Sequence, residues 1–467
     1  MGATLTGLVL APWSPGYDDA RVDYNGRFPP FRPRYIVYCE VPQDVQQAVH
    51  WARRHRLPFR IRSGGHSYEA YSLLNDGLVI DVSRLRQMTF DPHQRIAQIG
   101  AGSRLLEIYE TLWDAGRVTI PGGSCPTVGI AGLTLGGGYG LISRRWGLTV
   151  DALTAVELVD ARGDLVQVSS DRYPDLFWAL RGAGGNNFGV VTRFWFRTVD
   201  VDHVTIFSLR WPWLQLPNVL KTYQQWGDPL GLDFRLTPIL TLPSRDLGYV
   251  AVVGQFLGPP DELLPLLAPL LAVGDLERQN IQYVSYIDAV KHFAGITGDP
   301  AHWLAQGLPQ QDTFKNTSAY QMHLFPDRAI EVIQATLSET PSPSCLVQLD
   351  LYGGAVGAVP PTATAFFHRR ARSALQYQAY WTNPAQQDSH IAWVESFRRR
   401  MRPFTEGAYV NYCDGRIRNW PAAYYGANLS RLLAVKRRWD PHNLFRFPQG
   451  LSELIHPSCR SLAFWNN

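Results

Sequence analysis

The residue types that can do chemistry concentrate in three glycine-rich stretches. The first, Arg62-Ser63-Gly64-Gly65-His66-Ser67, follows a predicted strand. Consecutive glycines let backbone N–H groups converge on one point, the geometry that cradles a phosphate. The second is Pro121-Gly122-Gly123-Ser124-Cys125-Pro126-Thr127-Val128-Gly129, running on through Gly132 to Gly136-Gly137-Gly138-Tyr139-Gly140. The third is Arg181-Gly182-Ala183-Gly184-Gly185-Asn186-Asn187-Phe188-Gly189. So much glycine is costly in conformational entropy and makes sense where backbone must approach a large ligand closely. Gly138-Tyr139-Gly140 has no third glycine three residues on, so the GxGxxG fingerprint fails, and no GxxxxGK[ST] occurs. A Rossmann dehydrogenase and a P-loop NTPase are disfavoured, and a pyrophosphate held in another way is expected. Taken singly, His66 reads as a histidine bonding backbone and Cys125 as a small buried filler. Their joint placement in two such loops singles them out.

Short elements must position these loops. The sequence predicts a helix over 43–55 opened by Pro42, strands over 58–61, 78–82 and 96–100, and a helix over 105–113. Strands over 153–159 and 165–168 flank the turn Ala161-Arg162-Gly163-Asp164, and a short helix is expected over 175–180. Near Asp200 the character changes. Residues 201–405 alternate amphipathic helices (around 215–227, 262–273, 326–338 and 388–401) with apolar strands such as 249–256 and 345–352. That pattern predicts an antiparallel sheet covered by helices. The tail from 408 to 450, with Tyr409-Val410-Asn411-Tyr412 and a helix over 429–439, is expected to return to the first domain.

At 467 residues the chain is too long for one core, and two domains are the natural division. Hydrophobic content of 45% with 18% charged residues is that of an ordinary globular protein. The net charge of +4 is dispersed, and Arg398-Arg399-Arg400 and Lys436-Arg437-Arg438 read as solvated helix faces, so no nucleic-acid partner is expected. Five scattered cysteines (Cys39, Cys125, Cys345, Cys413, Cys459) form neither a metal spacing nor a disulfide framework, and no metal is expected. No signal peptide and no apolar run of membrane-spanning length are evident, which points to a cytoplasmic protein with no membrane partner, a monomer or small homo-oligomer.

The SGGHSY loop, GGSCPTVGIAGLTLGGGYG, RGAGGNNFGVVT, and a tail with YVNY and then NLSRLLAVKRRWDPHNLF together resemble the berberine-bridge-enzyme-like branch of the vanillyl-alcohol oxidase / p-cresol methylhydroxylase (PCMH) superfamily, over nearly the whole chain. The resemblance implies an α+β, two-domain PCMH-type FAD-binding fold: residues 1–200 and 406–467 forming the FAD-binding domain, and 201–405 a substrate domain of antiparallel sheet covered by helices. It implies FAD bonded twice, from His66 to the flavin 8α-methyl carbon and from the Cys125 sulfur to C6. Further cofactor contacts are expected from Arg62, Ser63, Gly64, Gly65, Ser67, Gly122, Gly123, Ser124, Val128, Gly129, Gly132, Gly138, Gly189, Val190 and Asn411. Val128 occupies a position linked in this family to oxygen access. One departure is Asn186, where the family usually has glycine. Plant relatives carry an N-terminal disulfide and signal peptide, neither evident here.

The implied activity is hydride transfer from a hydroxyl-bearing substrate, a carbohydrate or secondary-metabolite alcohol, to flavin N5, with reoxidation by O2 to H2O2. The alternatives are oxidative bond formation on a natural product and a dehydrogenase using another acceptor. Removing a hydride from an alcohol needs a base for the hydroxyl proton. Tyr139 and Tyr412 match two tyrosines that act together in sugar- and alcohol-oxidising members, and one would need stabilisation as phenolate by donors or positive charge. Strict alternation puts Gln348, Asp350 and Tyr352 on one strand face, with Leu346, and Val347, Leu349 and Leu351 on the other. In the family that strand faces the flavin, which makes Asp350 and Gln348 catalytic candidates; Tyr68, Tyr352 and Tyr409 are placed at the substrate. His323, His368 and His390 lie in no motif and are expected at the surface or in packing.

Overall fold

The computed structural model describes residues 5–296 and 312–455. Its N-terminal part holds two sheets. One runs in the order Val9–Leu10, Tyr35–Tyr38, Leu78–Asp81, Phe59–Arg62, parallel except at its first strand. All four residues of Leu78–Asp81 are buried, as a central parallel strand demands. The helix Pro42–Arg54 starts where Pro42 fixes φ and the Asp44 carboxylate accepts from the backbone N–H of Thr6 (2.8 Å) and Glu40 (2.9 Å). The second sheet is antiparallel, ordered Met88–Asp91, Ile96–Gly100, Val190–Arg197, Leu153–Val159, Leu165–Ser169. Its last hairpin closes at the expected turn. There Asp160 Oδ1 accepts from the N–H of Arg162 (2.8 Å) and Asp164 (3.0 Å), and Gly163 takes φ +91°.

A seven-stranded antiparallel sheet follows, ordered Arg278–Ser285, His203–Pro212, Tyr249–Phe256, Leu236–Pro243, Cys345–Leu351, Ser373–Tyr380, Phe314–Gln321. The helices Leu216–Trp226, Pro260–Leu271, Asp327–Ser338 and Gln387–Met401 bury their apolar stripes on one face, against residues such as Val347, Leu349, Leu375 and Tyr377. The opposite face carries Gln348, Asp350, Gln376, Gln378 and Asn316. The register sets Gln348 opposite Gln376, Asp350 opposite Ala374 and Asn316 opposite Gln378.

The tail packs into the N-terminal core through Trp420, Tyr424, Leu432 and Val435. Its helix Leu429–Trp439 sends the buried Lys436 Nζ to the carbonyls of Asn187 (2.7 Å) and Phe445 (2.6 Å) and to Asp440 (2.6 Å), fastening the tail to the third glycine stretch. Tyr412 lies in a 3-10 turn, Val410–Tyr412, rather than in a strand. His390 and His368 are buried packing residues and His323 is exposed. Cys459 lies outside the described residues. No helix among the described residues is long and apolar enough to cross a membrane.

Candidate active site

Between the glycine loops and the polar face of the seven-stranded sheet lies a cavity of about 490 Å³, within the range of cofactor and ligand sites. The first glycine loop lines it with Ser63, Gly64, Gly65, His66, Ser67 and Tyr68, and the second with Ser124, Cys125, Val128, Gly129 and Gly132. Gly185, Asn186 and Gly189 come from the third, and Asn411 and Tyr412 from the tail. Asn316, Gln376, Gln378 and Tyr380 line it from the sheet.

His66 and Cys125 meet at one hydroxyl. His66 Nε2 lies 3.0 Å from Thr127 Oγ1, and Cys125 Sγ lies 3.9 Å from the same oxygen. The imidazole stacks on Tyr24 at 4.0 Å between centroids, and Tyr24 is fixed by its hydroxyl donating to Asp312 and its N–H to Gly65 O (3.0 Å). Burial and the Arg104 cation push His66 down to about 3, so the ring is neutral at physiological pH. Burial raises the Cys125 thiol, against hydrogen bonds from Thr127 and Val128 that lower it.

The loops touch backbone to backbone. A Cβ on Gly64 would lie 2.3 Å from Gly129 N, and one on Gly129 2.5 Å from Gly64 N, so only glycine permits this approach. Gly132 and Gly185, by contrast, have nothing within 4 Å of a would-be Cβ and leave bare backbone against open space. Asn186 takes φ +62°, the left-handed conformation glycine favours and asparagine tolerates, which explains how it stands in a glycine position. A cavity of this size, walled by glycine backbone and holding an imidazole and a thiol that share one hydroxyl, fits a large planar cofactor with a phosphate tail.

Tyr412 stacks on Tyr68 with rings 5.4 Å apart and parallel within 2°, and its hydroxyl has no hydrogen-bond partner among the described residues. Tyr68 accepts from Gln376 Nε2 at 2.7 Å. Gln348 accepts from Gln378 Nε2 at 2.6 Å, and Gln378 in turn accepts from the Tyr380 hydroxyl at 3.0 Å. Asn316 Oδ1 is buried without a partner. Asp350 sits at the end of this polar row, near enough to Tyr412 and Tyr139 for its charge to raise both, and neither it nor Gln348 is among the residues lining the cavity. It is 8% exposed, carries no ion pair among the described residues, and burial alone pushes it up to about 7. Burial likewise raises Tyr412, and the neighbouring Tyr68 and Asp350 raise it further.

Several expected site residues do other work. Arg62 turns away from the cavity into an ion pair with Asp81 (2.5 Å) and a bond to Ala20 O (2.5 Å), so it braces the loop from behind. Gly122 and Gly123 face Tyr109, whose hydroxyl donates to Gly123 O at 2.8 Å. The Gly138 N–H donates to the Tyr409 hydroxyl (2.9 Å), which also accepts from Asn411 Nδ2 (2.9 Å); Tyr409 is therefore a buried pillar between tail and loop and does not line the cavity. Val190 is fully buried in its strand. The Tyr139 hydroxyl donates to Leu351 O at 2.7 Å, and its ring stacks on Tyr352, which is 1% exposed. Neither lines the cavity. Sequence reading missed Tyr24, Thr127, Asn316, Gln376, Gln378 and Tyr380. The period-two rows Gln376-Gln378-Tyr380 and Phe314-Asn316 carried the signal for the sheet residues.

Residues 33–169 match the family model described as FAD binding domain, and residues 408–452 the one described as berberine and berberine like. The chain is 40% identical over 464 residues to the uncharacterized FAD-linked oxidoreductase YgaK of Bacillus subtilis, covering 98% of this chain and 99% of that protein. It is 33% identical over 457 residues to the xylooligosaccharide oxidase of Thermothelomyces thermophilus, covering 92% and 88%. The solved structure of Physcomitrella patens BBE-like 1 superposes with a TM-score of 0.89 at 33% identity, covering 96% of this chain and 97% of that one. With the likeness running from the first glycine loop to the tail that closes the cavity, the chain belongs to the berberine-bridge-enzyme-like family of FAD-linked oxidoreductases.

Proposed function

We propose that this protein is an oxidase of CH–OH groups on a small hydroxylated substrate, a carbohydrate or a secondary-metabolite alcohol, with FAD tethered through both His66 and Cys125. The domain division that goes with it assigns 1–200 and 406–467 to the cofactor and 201–405 to the substrate. The observation that carries the reading is Asp350, a carboxyl with no ion pair among the described residues, held near 7 on the polar face of the sheet whose Gln376, Gln378 and Asn316 line the cavity.

Ser63, Gly64, Gly65, Ser67, Ser124, Gly129, Gly132, Gly189 and Asn411 would hold the cofactor. The chemistry supplied by bound FAD is acceptance of a hydride at N5 from the substrate C–H and its passage, with protons, to O2 as H2O2. Asp350 takes the hydroxyl proton, since a carboxylate titrating near 7 is matched to that task at physiological pH. Tyr412 offers a free hydroxyl beside it, and Gln348, held by Gln378, orients substrate hydroxyls. Gln376, Gln378 and Asn316 with the rings of Tyr68, Tyr380 and Phe314 make a wall of amides and aromatics suited to a polyhydroxylated substrate. Val128 lines the cavity three residues beyond Cys125, a small side chain consistent with access for O2.

Acid denaturation tests the tethers: flavin should stay with the polypeptide, Cys125→Ala should keep flavin through His66 with an altered absorption spectrum, and free FAD in the wild-type supernatant refutes them. H2O2 release across a panel of oligosaccharides and alcohols tests the activity. Turnover with an artificial acceptor but none with O2 refutes the oxidase assignment.

A further inference from the structure

We infer that Thr127 is the positioning residue for both flavin tethers: its single hydroxyl fixes the tautomer of His66 and supports the thiolate of Cys125. The inference rests on the proposed bicovalent attachment and goes beyond it, because neither tether forms unless its nucleophilic atom carries a free electron pair.

Thr127 is buried, and its Oγ1 is the one atom shared by His66 Nε2 (3.0 Å) and Cys125 Sγ (3.9 Å). A hydroxyl has one proton; turned towards sulfur, it leaves Oγ1 only lone pairs to offer His66, so Nε2 carries the ring proton and Nδ1 keeps its lone pair. Nδ1 has no hydrogen-bond partner among the described residues, and Tyr24 stacked on the ring at 4.0 Å holds the imidazole in that orientation. With Oγ1 accepting from Nε2–H, the hydroxyl proton is free to point at sulfur, where donation favours the thiolate. One hydroxyl thus accepts from one nucleophile and donates to the other.

Each tether replaces one flavin C–H bond by an N–C or S–C bond. The hydrogen of that C–H and the hydrogen of the imidazole or thiol leave with two electrons, and O2, the acceptor named above, takes them up as H2O2. The protein's part is to present Nδ1 with its lone pair and, through the Thr127 hydroxyl, to oppose the burial that holds Cys125 as a thiol.

The test is mass spectrometry of tryptic peptides from the holoprotein as expressed, giving the flavin-bearing fraction of the His66 and Cys125 peptides. Thr127→Val removes the hydroxyl at nearly constant shape, and Thr127→Ser keeps it. Both peptides should carry flavin in the wild type. The His66 fraction should fall at least tenfold in Thr127→Val, the Cys125 fraction should fall with it, and Thr127→Ser should stay within twofold of wild type. Should Thr127→Val not fold, Thr127→Ala takes its place with the same expectation. Wild-type stoichiometry in Thr127→Val, or a loss in Thr127→Ser equal to that in Thr127→Val, overturns the role of the hydroxyl while leaving the tethers standing. Wild-type protein without covalent flavin overturns the tethers themselves, and this inference with them.

Discussion

Replacing Asp350 by Asn should make the stability of the protein depend on pH in a specific way. Asp350 is 8% exposed and no ion pair compensates its charge among the described residues; burial alone lifts its carboxyl from 3.8 to about 7. In the unfolded chain the group returns to its ordinary value. Between those two values the folded protein holds a proton that the unfolded chain has released. Stability therefore falls as pH rises through the window, and the loss is complete above about 7. A displacement of about three pH units corresponds to roughly 4 kcal/mol, an upper figure because local relaxation softens burial. Asparagine does not titrate, so Asp350→Asn should match the wild type in stability near pH 4 to within a constant and gain on it by several kcal/mol by pH 8. Urea unfolding followed by tryptophan fluorescence at pH 4.5, 6, 7 and 8 measures the difference directly. The same substitution should remove the acid limb of kcat/KM near pH 7 and lower turnover by about 10²–10⁴-fold. Two stability curves running parallel from pH 4.5 to 8 would refute the buried, unpaired carboxyl and, with it, the base assigned to the site.

Lys315→Met should lower the unfolding free energy by about 3–5 kcal/mol, read as a fall in melting temperature. Lys315 Nζ lies 3.0 Å from Glu69 and 2.5 Å from Asp414, all three buried, and its removal strands Asp414 and leaves Glu69 to Arg27 alone, between the His66 loop and the tail. Tyr412→Phe should cut kcat by about 10–100-fold, the worth of one hydrogen bond to a charged group, with the flavin spectrum unchanged. A kcat equal to wild type removes Tyr412 from the mechanism. Asn186→Gly should be tolerated, whereas Asn186→Val should lower the melting temperature by the equivalent of about 1–2 kcal/mol, because φ +62° places a β-branched side chain against the following carbonyl.

Elements with a strong local signal were legible. Proline and the Asp44 cap define Pro42–Arg54, an apolar run defines Leu78–Asp81, and Ile96–Gly100, Tyr249–Phe256 and Leu429–Trp439 have the bounds that periodicity predicts. The glycine loops were legible as a ligand cradle because glycine at that density has few other uses. What stayed hidden depends on contacts between distant segments. Arg62 ends the strand that enters the SGGH loop, and its side chain answers to Asp81 on the neighbouring strand, a pairing visible only once the sheet order is known. Tyr409 and Tyr412 are three residues apart in one motif. The turn Val410–Tyr412 sends one to cap Gly138 and the other to the cavity, and no period distinguishes them. Thr127 and Tyr24 gave no signal, since their significance is that they touch His66, 61 residues and 42 residues away in sequence.

The choice of base turns on where the buried cations are. A tyrosine serves as base only if a positive charge or strong donors offset the cost of burying a phenolate. Two buried cations of the described residues, Lys315 and Arg144, are both committed. Lys315 is neutralised by Glu69 and Asp414. Arg144, with no exposed surface, donates to the carbonyls of Tyr352 (2.5 Å) and Leu232 (2.9 Å). Arg144 does pull Tyr139 downward, but burial and the nearby Asp350 outweigh it, and the Tyr139 hydroxyl already donates to Leu351 O. The largest influences on Tyr412, burial first and then Tyr68 and Asp350, all raise it. A tyrosine raised on every side keeps its proton and can only donate. Asp350 is raised too, but it starts from a carboxyl value, so the same burial that disables the tyrosines brings it to about 7, where it can accept a proton in one step and release it in the next. In the function proposed above, Asp350 is therefore the base in place of the expected pair of tyrosines, and Tyr412 is a hydrogen-bond donor.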